Sequence, residues 1–280
     1  MATSTANLNM GSTVKLNNNV QMPILGLGVY QTPPGGVTRN AVKFALTVGY
    51  RHVDTARIYG NEADVGEAVR KSGLPREDLF VTTKLWNSDQ GYDSTLRACE
   101  TSLKRLGLDY LDLYLIHFPV PETRKESWRA MDTLLQSGKC RAIGVSNFTI
   151  HHLEELLEER DVTPAVNQVE FHPFLYQKEL LEYCQRKGIQ VEAYSPLARG
   201  ERFKHPRITM LATKYSKSPA QLMIRWGLQH GLVVIPKSTR DGRIRENSQV
   251  FDFEISVEDM RSLDSLNEEL RLNWDPTSVP

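Results

Sequence analysis

Short β-branched or apolar runs, each ending in a polar residue, recur along the chain at roughly thirty-residue intervals, the size of a βαβ unit. Such runs end at Asp54 (His52-Val53-Asp54), Lys84 (Phe80 to Lys84), His117 (Leu111 to His117) and Ser146 (Ala142 to Ser146). Four more candidates are Gly26-Leu27-Gly28, Ala165 to Glu170, Val191 to Ser195 and Val233 to Lys237. Between them, apolar residues step by three and four: Leu96, Cys99, Leu103 and Leu106; Trp128, Met131, Leu134 and Leu135; Leu153, Leu156 and Leu157. That spacing predicts amphipathic helices. Ser218-Pro219-Ala220-Gln221 has the form of a capping box with proline at the first helical position, where its missing N–H costs nothing. Ser256 with Asp259 is a weaker version of the same signal.

Eight strands alternating with helices leave two main solutions, a closed barrel or an open doubly wound sheet. The open sheet that binds dinucleotides carries G-x-G-x-x-G after its first strand. Here Gly26-Leu27-Gly28-Val29-Tyr30-Gln31 lacks the third glycine. The expected fold is therefore α/β, a closed (β/α)8 TIM barrel. Thr13 to Met22, with Asn17-Asn18-Asn19 in the middle, predicts an N-terminal β-hairpin ahead of it. Residues 1–12 are expected to be a flexible segment, and 13–280 a single barrel domain, since no linker divides them.

Composition then excludes several functions. A chain of 280 residues suits a barrel of typically about 250. Lys+Arg and Asp+Glu both number 34, so no overall basic field marks a nucleic-acid binder. No run approaches the ~20 apolar residues of a membrane span, and Met1 to Ser12 do not read as a signal peptide. Cys99, Cys140 and Cys184 fit free thiols in a reducing compartment. A cytoplasmic location is expected, with no nucleic-acid or membrane partner.

In a barrel the C-terminal strand ends converge on one face, and catalytic groups come from several strands. Asp54, Lys84 and His117 all end runs, and Tyr59 follows Asp54 by five residues. Singly, each is more ordinarily a packing or solvated residue. Together they suit carbonyl reduction, which needs a proton for the developing alkoxide. A phenol, of ordinary pKa about 10, can deliver it, and a nearby Lys⁺ is expected to lower that value. Lys84 in turn needs a carboxylate, which Asp54 supplies, and His117 can orient the substrate oxygen. A metal site built on His52, Asp54 and His117 is disfavoured because Lys84 would repel the cation. Asn61 is expected to cap the next helix, His151 and His152 to lie on the surface, and His172 to sit in a turn. Lys237, Arg240, Arg243 and Arg245, interrupted only by Asp241, form a local basic cluster suited to a phosphate.

The stretches GYRHVDTARIYGNE, VTTKLWNSDQGY, LDLYLIHFP, IGVSNF, VNQVEFHP, AYSPL and IPKSTRDGRIRENSQVFDF resemble the aldo-keto reductase superfamily, from about Val14 to Asn273. Within it the chain is most similar to the short-loop microbial-type branch of prostaglandin F synthases, glyoxal reductases and diketogluconate reductases. The resemblance implies a catalytic tetrad of Asp54, Tyr59, Lys84 and His117, with Tyr59 as the acid. It implies that Ser146, Asn147 and Gln168 hold the nicotinamide carboxamide and that Tyr194 stacks on the ring. Ser195, Pro196 and Leu197 would line the pyrophosphate. Lys237, Ser238 and Arg243 would meet the 2′-phosphate and adenine, with Glu246 and Asn247 on the adenine. NADPH/NADP+ is the expected cofactor, small aldehydes and ketones the expected substrates, and a monomer the expected state.

The chain departs from the common pattern at Phe118 and Tyr30, where tryptophan is frequent, and only Pro119 to Arg124 separate the fourth strand from its helix. Short loops predict a shallow, open substrate site lined by Tyr30, Trp86, Phe118 and Trp274. The alternative is a non-catalytic cofactor-binding or structural protein on the same scaffold. The intact tetrad separates the two.

Overall fold

The computed structural model describes residues 8–159 and 162–280; most of the segment expected to be flexible, residues 1–7, lies outside the described residues. Residues 9–12 form a turn in which Ser12 N donates to Asn9 O (3.0 Å). Strands β1 (Thr13–Lys15) and β2 (Gln21–Pro23) pair antiparallel, Val14 opposite Met22. This is the expected hairpin. Its Leu16 and Met22 are buried against Phe80, Leu113, Leu115, Ala142, Val166 and Val233, which seals the N-terminal end of the barrel.

Eight parallel strands follow in sequential order: β3 (Gly26–Gly28), β4 (His52–Asp54), β5 (Phe80–Leu85), β6 (Leu111–Ile116), β7 (Cys140–Ser146), β8 (Val166–Glu170), β9 (Gln190–Tyr194) and β10 (Val233–Val234). The ends join through the bridges Leu25 to Val234 and Gly28 to Lys237, so the predicted closed barrel is what forms. Strand β10 is shorter than the run Val233 to Lys237, because Pro236 has no N–H to continue a ladder. Nearly every strand residue is buried, the signature of a parallel sheet covered on both faces.

The helices wrap the outside: α1 (Gly36–Thr47), α2 (Glu62–Arg70), α3 (Tyr92–Leu106), α4 (Arg124–Gln136), α5 (Ile150–Glu159), α6 (Lys178–Lys187), α7 (Pro206–Lys214), α8 (Pro219–Gln229), α9 (Asp241–Ser248) and α10 (Val257–Asp264). The apolar stripes read from spacing face inward. Cys99, Leu103 and Leu106 of α3 are buried, as are Trp128, Met131 and Leu134 of α4. The Ser218 capping box closes in both directions, Gln221 N to Ser218 Oγ (3.3 Å) and Ser218 N to Gln221 Oε1 (3.0 Å). Ser256 Oγ likewise accepts from Asp259 N (3.2 Å). Helices α2 and α3 touch at Gly66, where a Cβ would stand 1.9 Å from Leu106 O. Only glycine permits that approach.

Two local expectations are corrected. Asn61 occupies the position before α2, yet its side chain makes no cap. It bonds Thr55 Oγ1 (2.7 Å) and Val29 O (3.1 Å) instead, tying two mouth loops together. His152 is buried, not superficial: its Nδ1 accepts from Thr149 N (3.1 Å), and its Nε2 lies 3.0 Å from Val279 O. His172 does open a turn, bridging to Leu175.

Candidate active site

Asp54 is the last residue of β4, Lys84 the penultimate residue of β5, and His117 the first residue beyond β6. One 3-10 turn, Arg57–Tyr59, folds Tyr59 back over the strand ends. The four side chains converge. Lys84 is fully buried, and its Nζ donates to Asp54 Oδ1 (2.6 Å), to Thr55 O (2.8 Å) and to Tyr59 OH (3.5 Å). The His117 ring lies edge-on to Tyr59, centroids 5.7 Å apart.

Burial pushes the Tyr59 phenol well above its ordinary value, and the charge of Asp54 adds to the effect. The expected net downward shift of this phenol is thus corrected. The short bonds of Lys84 go to Asp54 and Thr55, so desolvation dominates at Tyr59. Burial, then the charge of Lys84, holds His117 well below the usual imidazole range, so the ring is neutral. The site keeps a proton on Tyr59 and none to spare on His117.

Beneath Asp54 the interior remains polar. Gln168 Nε2 donates to Asp54 Oδ2 (2.8 Å) and to Glu192 Oε2 (2.8 Å), and Glu192 Oε1 faces His52 Nε2 at 3.6 Å. Sequence reading missed Glu192 and weighed His52 only as a disfavoured metal ligand. The signal was a carboxylate within an otherwise apolar strand run, which a doubly buried strand tolerates only with a partner.

A cavity of about 780 Å³ runs from Tyr59 and His117 across the mouth to the loop after β10. Ser146, Asn147 and Gln168 line its inner wall, and Tyr194 closes one side. Asn147 has a φ of 62°. It donates to His117 O (2.9 Å) and Ser146 Oγ (3.2 Å) and accepts from Tyr194 OH (2.8 Å). Ser195, Pro196 and Leu197 line the middle. Ser195, Ala198 and Arg199 have φ of 47°, 45° and 54°, a run of left-handed backbone that costs roughly 1–3 kcal/mol per residue and marks a loop shaped for something other than stability. At the far end stand Lys237, Ser238 and Arg243, then Glu246 and Asn247.

Of the expected aromatic residues, Tyr30 and Trp274 line this cavity. Trp86 and Phe118 join them indirectly, through rings 5.5 and 6.3 Å from that of Trp274. Trp274 also stands 5.3 Å from His117. The tail carrying Trp274 is held by Glu170, which accepts from Leu272 N (3.0 Å) and Asn273 N (3.0 Å). Sequence reading had assigned Glu170 no part.

A dinucleotide phosphate fits these residues. Among the described residues nothing pairs with the side chains of Lys237, Arg240 or Arg243, all exposed at the cavity's end, while the Gln168 amide oxygen, at its other end, accepts from no described group.

Comparison with known proteins agrees with this picture. The model of the aldo/keto reductase family matches residues 37–268. The chain is 57% identical to the uncharacterized oxidoreductase YtbE of Bacillus subtilis, over 93% of this chain and 95% of that protein. To the glyoxal reductase of the same organism it is 54% identical, over 95% and 97%. The crystal structure of MGS-M4, an aldo-keto reductase from a Medee basin deep-sea metagenome library, superposes with a TM-score of 0.92 at 48% identity, covering 96% of this chain and all of that one (100%). Barrel, strand-end cluster and sequence lead to one conclusion: the chain belongs to the aldo/keto reductase family and is an NADP-dependent oxidoreductase of carbonyl and alcohol groups.

Proposed function

We propose that this enzyme reduces small aldehydes and ketones, with Tyr59 as the proton donor. The observation that carries the reading is the buried Lys84 ammonium, bonded to Asp54 and within 3.5 Å of the Tyr59 hydroxyl at the floor of the cavity. Bound NADPH supplies the hydride for the carbonyl carbon. The oxygen is left as a developing alkoxide, far more basic than any phenol, so Tyr59 gives up its proton even from a raised pKa. Lys84 stabilises the phenolate left behind, and Asp54 keeps Lys84 charged. Neutral His117 bonds the substrate oxygen and sets its angle.

For the cofactor, Ser146, Asn147 and Gln168 receive the carboxamide, and Asn147 also fixes Tyr194 as the stacking surface. Ser195, Pro196 and Leu197 follow the pyrophosphate. Lys237, Ser238 and Arg243 hold the 2′-phosphate, with Glu246 and Asn247 on the adenine. Tyr30, Trp86, Phe118 and Trp274 form an aromatic substrate wall without a fixed charge, which suits small uncharged carbonyls, α-dicarbonyls such as glyoxal among them. The short connection from His117 to α4 supports reading the chain as a member of the short-loop branch. We take residues 13–280 as one catalytic domain, monomeric and cytoplasmic.

The test is Tyr59→Phe. Loss of the acid lowers turnover by about 10²–10⁴-fold while NADPH binding, followed by protein fluorescence, is retained. Undiminished turnover would remove Tyr59 from the reaction.

A further inference from the structure

The barrel interior holds titratable groups that carbonyl reduction does not use, and Glu192 is the one that touches the site. Glu192 of β9 is wholly buried, one amide away from Asp54. We infer that Glu192 is a positioning residue of the reductase: as an uncharged acid it takes one hydrogen of the Gln168 amide, turning the amide oxygen to the cofactor carboxamide, and its ionisation shuts reduction down at alkaline pH. The inference rests on the reductase reading above.

Geometry supports the first half. The two hydrogens of Gln168 Nε2 are both taken, by Asp54 Oδ2 and Glu192 Oε2, each at 2.8 Å. Turning the amide over would set its oxygen against the Asp54 carboxylate, which has no hydrogen to give. The oxygen therefore faces the cavity that Gln168 lines, where it accepts an N–H.

The second half follows from counting charge. The groups that face Glu192 are His52 and Asp54 from β4, Lys84 from β5 and Gln168 from β8, with the Tyr59 phenol behind Asp54. Strands β3 and β10 contribute no titratable side chain. Lys84 is the one cation in this set, and Asp54 already balances it. His52 cannot add another: burial, then Lys84, lowers it to about 3. Its Nδ1 is wedged where a Cβ on Gly26 would come within 2.5 Å. Glu192 Oε1 has no hydrogen-bond partner among the described residues, its neighbour His52 Nε2 standing 3.6 Å away, so no bond steadies a negative charge on that oxygen. Burial, then the charge of Asp54, pushes Glu192 up to about 8. Once ionised, Glu192 puts a second negative charge beside a tyrosine that must itself become a phenolate.

The experiment compares wild type with Glu192→Gln and Glu192→Leu. Methylglyoxal reduction with NADPH is followed from about pH 6 to 10. Binding of NADPH and of its 3-acetylpyridine analogue, which lacks the amide N–H, is titrated by fluorescence. Wild-type kcat is expected to fall above about pH 8, and Glu192→Gln, which can still accept from Gln168, to hold its turnover about one pH unit higher with NADPH binding unchanged. Glu192→Leu frees the amide and weakens NADPH about tenfold, the worth of one hydrogen bond, while the analogue changes little. Superimposable pH profiles for wild type and Glu192→Gln overturn the charge argument, and equal weakening of both cofactors in Glu192→Leu overturns the orientation argument. No turnover by wild type at any pH sinks the reductase reading and this inference with it.

Discussion

Lys84 sets the character of the site, because a buried ammonium must be answered by a carboxylate and then polarises whatever else touches it. Replacing it, Lys84→Met, leaves Asp54 uncompensated among buried groups, and breaking such a pair costs about 3–5 kcal/mol. The urea midpoint should fall accordingly, and turnover should drop along with it. A loss of activity at unchanged stability would mean that Asp54 has found another partner. His52 offers a second test at this scale. Its folded pKa of about 3 lies below the unfolded value of about 6.5, so the unfolded chain binds the extra proton. Stability is then fully present above about pH 6.5 and is lost as pH falls toward 3, at up to ~1.4 kcal/mol per pH unit for this group. His52→Asn should flatten the slope of unfolding free energy against pH by about one proton in that window. An unchanged slope would show that the imidazole is already protonated in the folded chain.

Elements of this fold are held by contacts of very different sequence range, and that range decided what could be read in advance. Capping is local. Ser218 and Gln221 announced the start of α8 within four residues, and Ser218→Ala should cost about 1 kcal/mol, measured as a lower thermal midpoint. Gly66 is the opposite case. Its neighbour is the carbonyl of Leu106 on the next helix, 1.9 Å from where a Cβ would sit, and nothing in the run EADVGEAVR foretells it. Gly66→Ala should displace α2 from α3 at about 1–3 kcal/mol. A neutral substitution there would mean that the helices slide apart freely. The strand ends Asp54, Lys84 and His117 were legible because a barrel gathers the ends of consecutive strands on one face. The Asn61 tie to Val29, the burial of His152 under Val279 and the hold of Glu170 on the Trp274 tail were not, since each joins segments remote in sequence. The direction of the Tyr59 shift escaped for a related reason. Charge is visible in a sequence, but the desolvation that outweighs it depends on what the whole fold packs around the phenol.

For the molecule as a whole, a net charge of zero means that attraction for a phosphorylated ligand is local and not the work of an overall field. Lys237, Arg240 and Arg243 stand exposed at the end of the cavity opposite Tyr59, so charge and chemistry occupy separate ends of one trough. Arg243→Ala should weaken NADPH by about 1.5–3 kcal/mol, the worth of a hydrogen bond to a charged group, and leave NADH nearly untouched. Equal losses for both cofactors would move the 2′-phosphate elsewhere. The circle of strands is also uneven. Five Cα registers join β6 to β7, whereas β3 meets β10 through two isolated bridges and the bonds Val234 N to Ile24 O (2.9 Å) and Gly28 N to Pro236 O (3.2 Å). So lightly joined a seam opens before the β6–β7 pair does. In deuterated solvent the amides of Gly28 and Val234 should exchange long before those of Leu113 to Ile116. A dinucleotide lying across that seam would slow the early exchangers most, and so report its own arrival.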